Sequence, residues 1–207
     1  LILEMDKTAT PAKDVRGGDS NVVLATINVR VEGEQATLFY ITETGTDDFK
    51  ITGTGLTTGE IENIEMRDIS TGVVYDITET FDTDHWGLSM TDEITLMKGV
   101  TKTFEIRCDL GGPNDAYPME ENDTLQVTVD GGAMSITGDE SDSSITDITP
   151  SSVTSAIATV KAADLDWTTV VSTNKTVVPG ADEVTVYTAA LDAGDSSVID
   201  ITSVKIS

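Results

Sequence analysis

Side chains able to do chemistry are few in kind and unevenly spread. The sequence holds one histidine, His85, and one cysteine, Cys108. A Ser-His-Asp or Cys-His nucleophilic arrangement would have to run through His85. That residue sits in Asp82-Thr83-Asp84-His85-Trp86-Gly87 and reads as an exposed loop residue at the entry to a strand. A single His and a single Cys also exclude the common closed zinc sites, whose ligands are Cys and His. Cys108 alternates with Phe104 and Ile106 on an apolar stripe, so it reads as a buried, inert thiol. Being alone, it forms no intrachain disulfide.

Carboxylates are the abundant group: 37 Asp and Glu against 12 Lys and Arg, a formal net charge of −25. Two loops concentrate them. The stretch 109–123 carries Asp109, Asn114, Asp115, Glu120, Glu121, Asn122 and Asp123 among glycine and proline, and 138–147 carries Asp139, Glu140, Asp142 and Asp147. Calcium takes about six to eight hard oxygens, which carboxylates, amides and backbone carbonyls of such loops could supply. The candidate calcium ligands are Asp109, Asp115, Glu121 and Asp123. Neither loop has EF-hand or nonapeptide-repeat spacing, so a merely solvated acidic rim is the competing reading. No other cofactor is expected. Paired carboxylates could serve a glycosidase, but in so acidic a chain their proximity carries no information. Aromatic residues make up 5% of the chain, and Trp86 and Trp167 lie far apart in sequence, which weakens a sugar-stacking platform. Asn122-Asp123-Thr124 and Asn174-Lys175-Thr176 fit the N-glycosylation sequon, a pattern that a Thr-rich chain also supplies by chance.

The elements that would hold these groups are strands. The run 21–32 alternates, placing Val23, Ala25, Ile27, Val29 and Val31 on one face; 101–110 does so with Phe104, Ile106, Cys108 and Leu110, and 123–130 with Leu125, Val127 and Val129. Period two with one apolar face is the pattern of a strand packed against a core on one side. Further strands are expected over 35–41, 48–52, 61–68, 73–79, 94–97, 145–149, 156–161, 165–172 and two stretches after Ala181. Glycine-rich turns separate them at Gly17-Gly18, Gly53 to Gly59, Gly111-Gly112-Pro113 and Gly131-Gly132. Many short strands with frequent turns predict an all-β antiparallel sandwich. A pI near 4.1 argues against nucleic acid as a partner, and no run of about 18 apolar residues is present to span a membrane as a helix.

A shift of 162 residues brings the start of the chain onto its end. Leu3-Glu4-Met5 falls on Leu165-Asp166-Trp167, Gly18 on Gly180, Val22 on Val184, Thr26 on Thr188, Val29 on Leu191 and Phe39 on Ile201. The order of features is the same in both, without gaps. Residues 1–161 therefore read as one complete sandwich, and 162–207 as the start of a second, incomplete β module. Trp167, aligned with Met5, reads as core. Three or so strands cannot bury both their faces, so the second module is expected to be completed either by later residues or by a neighbouring subunit; the absence of Met at position 1 reads in the same way, as a processed or longer chain.

Thr10-Pro11 before Gly17-Gly18, the strand 21–32, Ile61-Glu62-Asn63-Ile64 leading to Arg67-Asp68, the run from Ile94 through Lys98-Gly99 to Phe104, and Asp109-Leu110 follow one another in a recognisable order. Over about three quarters of the chain this order resembles the immunoglobulin-like modules of prokaryotic cell-surface proteins, of the S-layer type or in extracellular filaments. The resemblance implies an immunoglobulin-like sandwich, an extracellular or cell-surface location and a non-enzymatic structural role. It implies a homo-polymer, a filament, sheath or S-layer joined at strand edges, with the joint expected in Leu1–Gly17 and Val184–Ser207. An adhesin or carbohydrate-binding module of a larger secreted protein is the alternative.

Overall fold

The computed structural model describes residues 1–45, 48–162, 166–171, 179–180 and 188–192. It divides into two compact units, Leu1–Lys161 and Ala162–Ser207. The side chain of Trp167, the sequon at Asn174, most of the expected C-terminal joint Val184–Ser207 and the match of Phe39 to Ile201 lie outside the described residues.

Among the described residues of the first unit, regular structure is strand apart from one 3₁₀ turn at Gly131–Ala133. The all-β sandwich expected from the alternation is therefore what folds. The smaller sheet is antiparallel and runs β1 (Ile2–Met5), β3 (Val22–Arg30), β11 (Thr101–Leu110), β6 (Ile61–Asp68), β7 (Val74–Asp76). The larger runs β10 (Ile94–Leu96), β4 (Ala36–Thr42), β9 (His85–Met90), β5 (Phe49–Thr52), β12 (Thr124–Asp130), β15 (Ala158–Val160), β2 (Lys13–Val15). Alongside this path β13 (Met134–Gly138) pairs with β4, β14 (Ser152–Thr154) with β12 and β8 (Thr78–Asp82) with β9.

The register shows how one sheet accommodates so many short strands. Strands β4 and β5 both pair with β9, while β13 pairs with β4 and β12 with β5. Each consecutive pair thus acts as two halves of one long strand with a break in the middle. Inward-facing Leu24, Ile27, Leu38, Phe49, Ile51, Met66, Leu88, Phe104, Ile106, Val127 and Val129 fill the space between the sheets, all nearly inaccessible to water. Removing this apolar surface from water, at about 25 cal/mol per Å², is the main force holding the sheets together.

Three expectations shift. The alternation in 21–32 is broken: Ile106 lies opposite Ala25 but Arg107 opposite Val23, so Leu24 is an extra residue in β3. Val22 and Leu24 point inward above this bulge, Ala25, Ile27 and Val29 below it, and Val23 is only half-buried. A bulge inserts one unpaired residue and changes the phase; with Val23 and Leu24 both apolar, no polarity pattern marks it. The expected strand 73–79 is split, β7 joining one sheet and β8 the other, with buried Ile77 at the crossing. Residues 145–149 form no strand, although Thr149 makes a parallel bridge to Ile2 and Ile145 N–H donates to Ile136 O.

In the second unit β16 (Asp166–Val171) and β17 (Thr188–Asp192) pair antiparallel, Trp167 opposite Leu191.

Candidate functional site

The loop 109–123 was singled out for its carboxylates, and the structure gives each a position. Asp109 lies where β11 and β6 change register, between Arg107 opposite Glu65 and Asp109 opposite Glu62. Asn63, at φ 51°, is the extra residue there. The Asp109 carboxylate fills the gap: one oxygen accepts from Asn21 N–H and the other from the Asn63 side-chain amide, both at 2.7 Å. Asp115 accepts from Gly112 N–H at 2.6 Å. Asp123, buried, accepts from Glu120 N–H at 2.7 Å. Glu121 is exposed in the turn before β12. Three of the four proposed calcium ligands therefore hold the turns of their own loop, and among the described residues no three His, Cys, Asp or Glu side chains converge as a metal-binding set.

Asp109 and Asp115 do share a pocket of about 300 Å³, together with Gly18, Glu62, Gly111 and Tyr117. Glu62 and Tyr117 were not anticipated, since Glu62 comes from a distant strand and only the β11–β6 register brings it opposite Asp109. The pocket opens at the end of the sandwich where β2 passes into β3. There Gly18 N–H donates to Leu110 O, and Lys161 N–H donates to Val15 O as the chain leaves the unit. Gly18 adopts φ +91°, a left-handed conformation in which a side chain would be strained.

The opposite end of the smaller sheet has a different character. Across it Ile2 pairs with Arg30 and Arg30 with Thr101, while Ile69 N–H donates to Thr103 O. The turn between β6 and β7 is fixed by Asp68, a fully buried carboxylate that accepts from Ser70 N–H and hydroxyl and lies 2.6 Å from Lys102 Nζ. Burial alone would raise this carboxyl; the Lys102 ammonium and the Ser70 hydrogen bonds outweigh it and hold the group well below the usual carboxylate range. Exposed on the same end are Ile69, Val73, Val74, Met97 and Val100, the last two 56% and 53% accessible. At the sides, β7 and β8 each pair with a single neighbour, β6 and β9 respectively, and form sheet edges among the described residues.

The two singular residues resolve differently. Cys108 is buried in the core, and burial, with Asp109 nearby, pushes its thiol up to about 12. His85 is the first residue of β9 rather than an exposed loop residue, with its side chain 18% accessible. Its Nδ1 lies 2.9 Å from Asp84 Oδ1 and its Nε2 2.9 Å from Glu43 Oε1. Asp84, then Glu43, raise the imidazole's affinity for its second proton against desolvation and the Lys50 charge. Glu43 can reach this position because Gly87 offers no Cβ; one built there would lie 1.9 Å from the Glu43 carboxylate. Among the described residues both ring nitrogens face carboxylates, and the chemistry of the arrangement is that of an ionic clasp.

No family model and no curated protein matches the sequence. Among solved structures the chain is similar to the CssB subunit of enterotoxigenic Escherichia coli colonization factor CS6, complemented with a donor strand from CssA, at 11% identity over 77% of this chain and 97% of that one, with a TM-score of 0.37. It is also similar to self-complemented MyfA, the major subunit of Myf fimbriae from Yersinia enterocolitica, at 12% identity over 77% and 98% of the two chains, with a TM-score of 0.31. These are likenesses to all-β subunits at low overlap, and the architecture rests on the strand pairing described above.

Proposed function

We propose that this chain is a structural subunit of an extracellular filament, sheath or S-layer, a homo-polymer built from tandem immunoglobulin-like modules and joined at β-strand edges. The observation that carries the reading is a recurrence. Gly180 adopts φ +87°, matching the +91° of Gly18 at the 162-residue shift. The same shift places β17 on residues 26–30 of β3 and the start of β16 on the end of β1, and each pair is antiparallel. Met5 lies opposite Ile27, whereas Trp167 lies opposite Leu191, the equivalent of Val29. This offset of two residues keeps the same faces together, because side chains alternate with period two.

Repetition of one module supplies length, and sheet edges supply sites for strand addition. A charge of −25 per chain opposes such packing. At physiological salt the Debye length is about 8 Å, which hides this long-range repulsion while sparing contacts of a few ångströms. Assembly should therefore appear near physiological ionic strength and weaken in low salt. Electron microscopy and sedimentation of the purified chain test this. Fibres or sheets support the reading, and a monodisperse monomer with glycan affinity would replace it with an adhesin or carbohydrate-binding module. Loss of assembly in a chelator at constant ionic strength would assign the acidic loops to calcium; persistence would assign them to a solvated rim.

A further inference from the structure

Strand β4 carries an aromatic pair that a regular strand would split between its two faces. Its inward side chains are Ala36, Leu38 and Ile41, all buried, so two residues lie between the last two instead of one. The register gives the reason. Ser135 of β13 pairs with Tyr40 and Ile136 pairs with Leu38, which leaves Phe39 as an extra residue in β4. A bulge of this kind sets two residues opposite one and re-aims a side chain. Phe39 and Tyr40 both turn to the outer face of the larger sheet, 37% and 43% accessible. Tyr117 is the one other Phe, Tyr or Trp exposed among the described residues. Aromatic residues at 5% of the chain are too few for a platform if scattered, but the bulge sets two of them side by side.

Their surroundings are polar without being charged. Thr95 of β10, Thr37 of β4 and Thr137 of β13 lie in one row across three strands, and Ser135 stands opposite Tyr40. No outward side chain of β4, β10 or β13 is charged, in a chain of which 24% is charged. At the edge of the Thr37 row, Asp139 accepts from the Thr37 hydroxyl at 2.9 Å and from the Gln35 side-chain amide at 2.6 Å. Each of its oxygens keeps a second lone pair for a further donor. Thr37 and Phe39 share a face two residues apart, about 7 Å along the strand, which is the scale of one pyranose ring.

We infer that this face is a binding site for a neutral oligosaccharide, stacked by its C–H faces on Phe39 and Tyr40 and held through its hydroxyls by Asp139, Thr37 and Ser135. An aromatic ring is negative over its face, so it attracts the weakly positive C–H groups of a sugar as well as covering them from water. A few placed polar groups beside such rings fix the orientation of the ligand. Charge selects the occupant. A second copy or an acidic glycan would bring negative charge to Asp139 and to its neighbour Glu34, which accepts from Glu140 N–H and Ser141 N–H. A neutral polyol brings none. The site belongs to one sheet of one unit and does not depend on assembly.

Saturation-transfer difference nuclear magnetic resonance on the full chain tests it, with gluco-, galacto- and manno-tetraoses as probes. Ring C–H protons of at least one of the three should receive saturation. Phe39→Ala with Tyr40→Ala should weaken binding of that sugar by about tenfold or more. Tyr40→Phe keeps the ring and should stay within about threefold of the parent, and Tyr117→Ala, which removes the other exposed ring, should change nothing. Far-ultraviolet circular dichroism of each variant should match the parent, since the side chains concerned lie on the surface. No transfer to any of the three sugars, or transfer that survives loss of both rings, would overturn the site. Loss of assembly instead of sugar binding in the double variant would overturn it too, and give the face to a second copy. Fibres that bind no sugar would end this inference and leave the filament reading standing; a monomer that binds through Phe39 and Tyr40 would do the reverse.

Discussion

Asp68 and Asp109 sit near opposite ends of the same strand pair, Asp68 closing β6 opposite Phe104 and Asp109 near the end of β11 opposite Glu62. Each carboxylate fixes a local irregularity, one a turn and the other a bulge. They differ in what meets them. Asp68 is inaccessible and paired with a lysine, whereas Asp109 is met by two neutral donors beside a pocket that holds further acids. The comparison shows that an acidic residue's role follows from its donors and burial rather than from its membership of a cluster. Charge is neutralised by a lysine at Asp68, and at Asp109 it is left beside other acids.

The largest effect should come from breaking the first of these. Asp68→Ala leaves the Lys102 ammonium without its partner in a half-buried site and removes the cap of the β6–β7 turn, and should cost about 3–5 kcal/mol in urea unfolding. Asp68→Ala combined with Lys102→Met should lose less than the single change, because no stranded charge remains. The pH dependence has a definite sign. The folded carboxyl is held below its ordinary value, so its contribution is complete above the unfolded pKa of about 4 and disappears as pH falls toward the folded one. A parent protein and Asp68→Ala variant with parallel stability curves through the acid range would contradict this.

Asp109→Ala should be felt less, about 1–3 kcal/mol, the cost of leaving Asn21 N–H and the Asn63 amide to find water. Both donors border solvent, which keeps the figure below that for Asp68. If the loss instead exceeds that at Asp68, the contrast between the two ends is wrong. The effect should also be independent of added calcium, since among the described residues no three acidic, histidine or cysteine side chains converge as a metal-binding set.

How much of this was legible in the sequence depends on the range over which each feature is determined. The stripe of Phe104, Ile106, Cys108 and Leu110 is a local pattern, and all four are buried. The phase of β3 was misread because the bulge at Leu24 is set by its partner β11, and nothing in Val22-Val23-Leu24-Ala25 marks which residue is extra. Asp109 was visible as an acid, but its role was not. Its donors, Asn21 and Asn63, are 88 and 46 residues away, and both are among the non-glycine residues with positive φ, a preference of Asn that sequence registers only weakly. His85 was misplaced for the same reason: Glu43 is distant in sequence, and the glycine that admits it, Gly87, reads as a turn residue until β9 is seen to pair on both sides.

The smallest effect tests the same principle within the larger sheet, and it has a built-in probe. His85 faces a carboxylate from each ring nitrogen at 2.9 Å. A neutral imidazole carries one N–H and can donate to only one of them, so the geometry requires the doubly protonated ring. Asp84 and Glu43 raise its pKa, with burial and Lys50 opposing. The resulting stabilisation is complete below the unfolded value of about 6.5 and is lost as pH rises through the higher folded one. For a partly exposed pair of this kind the gain is about 0.5–1 kcal/mol. His85→Gln should remove it, so parent and variant differ most in mildly acidic solution and converge in the alkaline range. Because the chain has one histidine, a nuclear magnetic resonance titration reports on this ring alone. A midpoint at or below 6.5 would show that the two carboxylates do not clasp it, and would leave Asp68 as the buffered charge on which the fold depends.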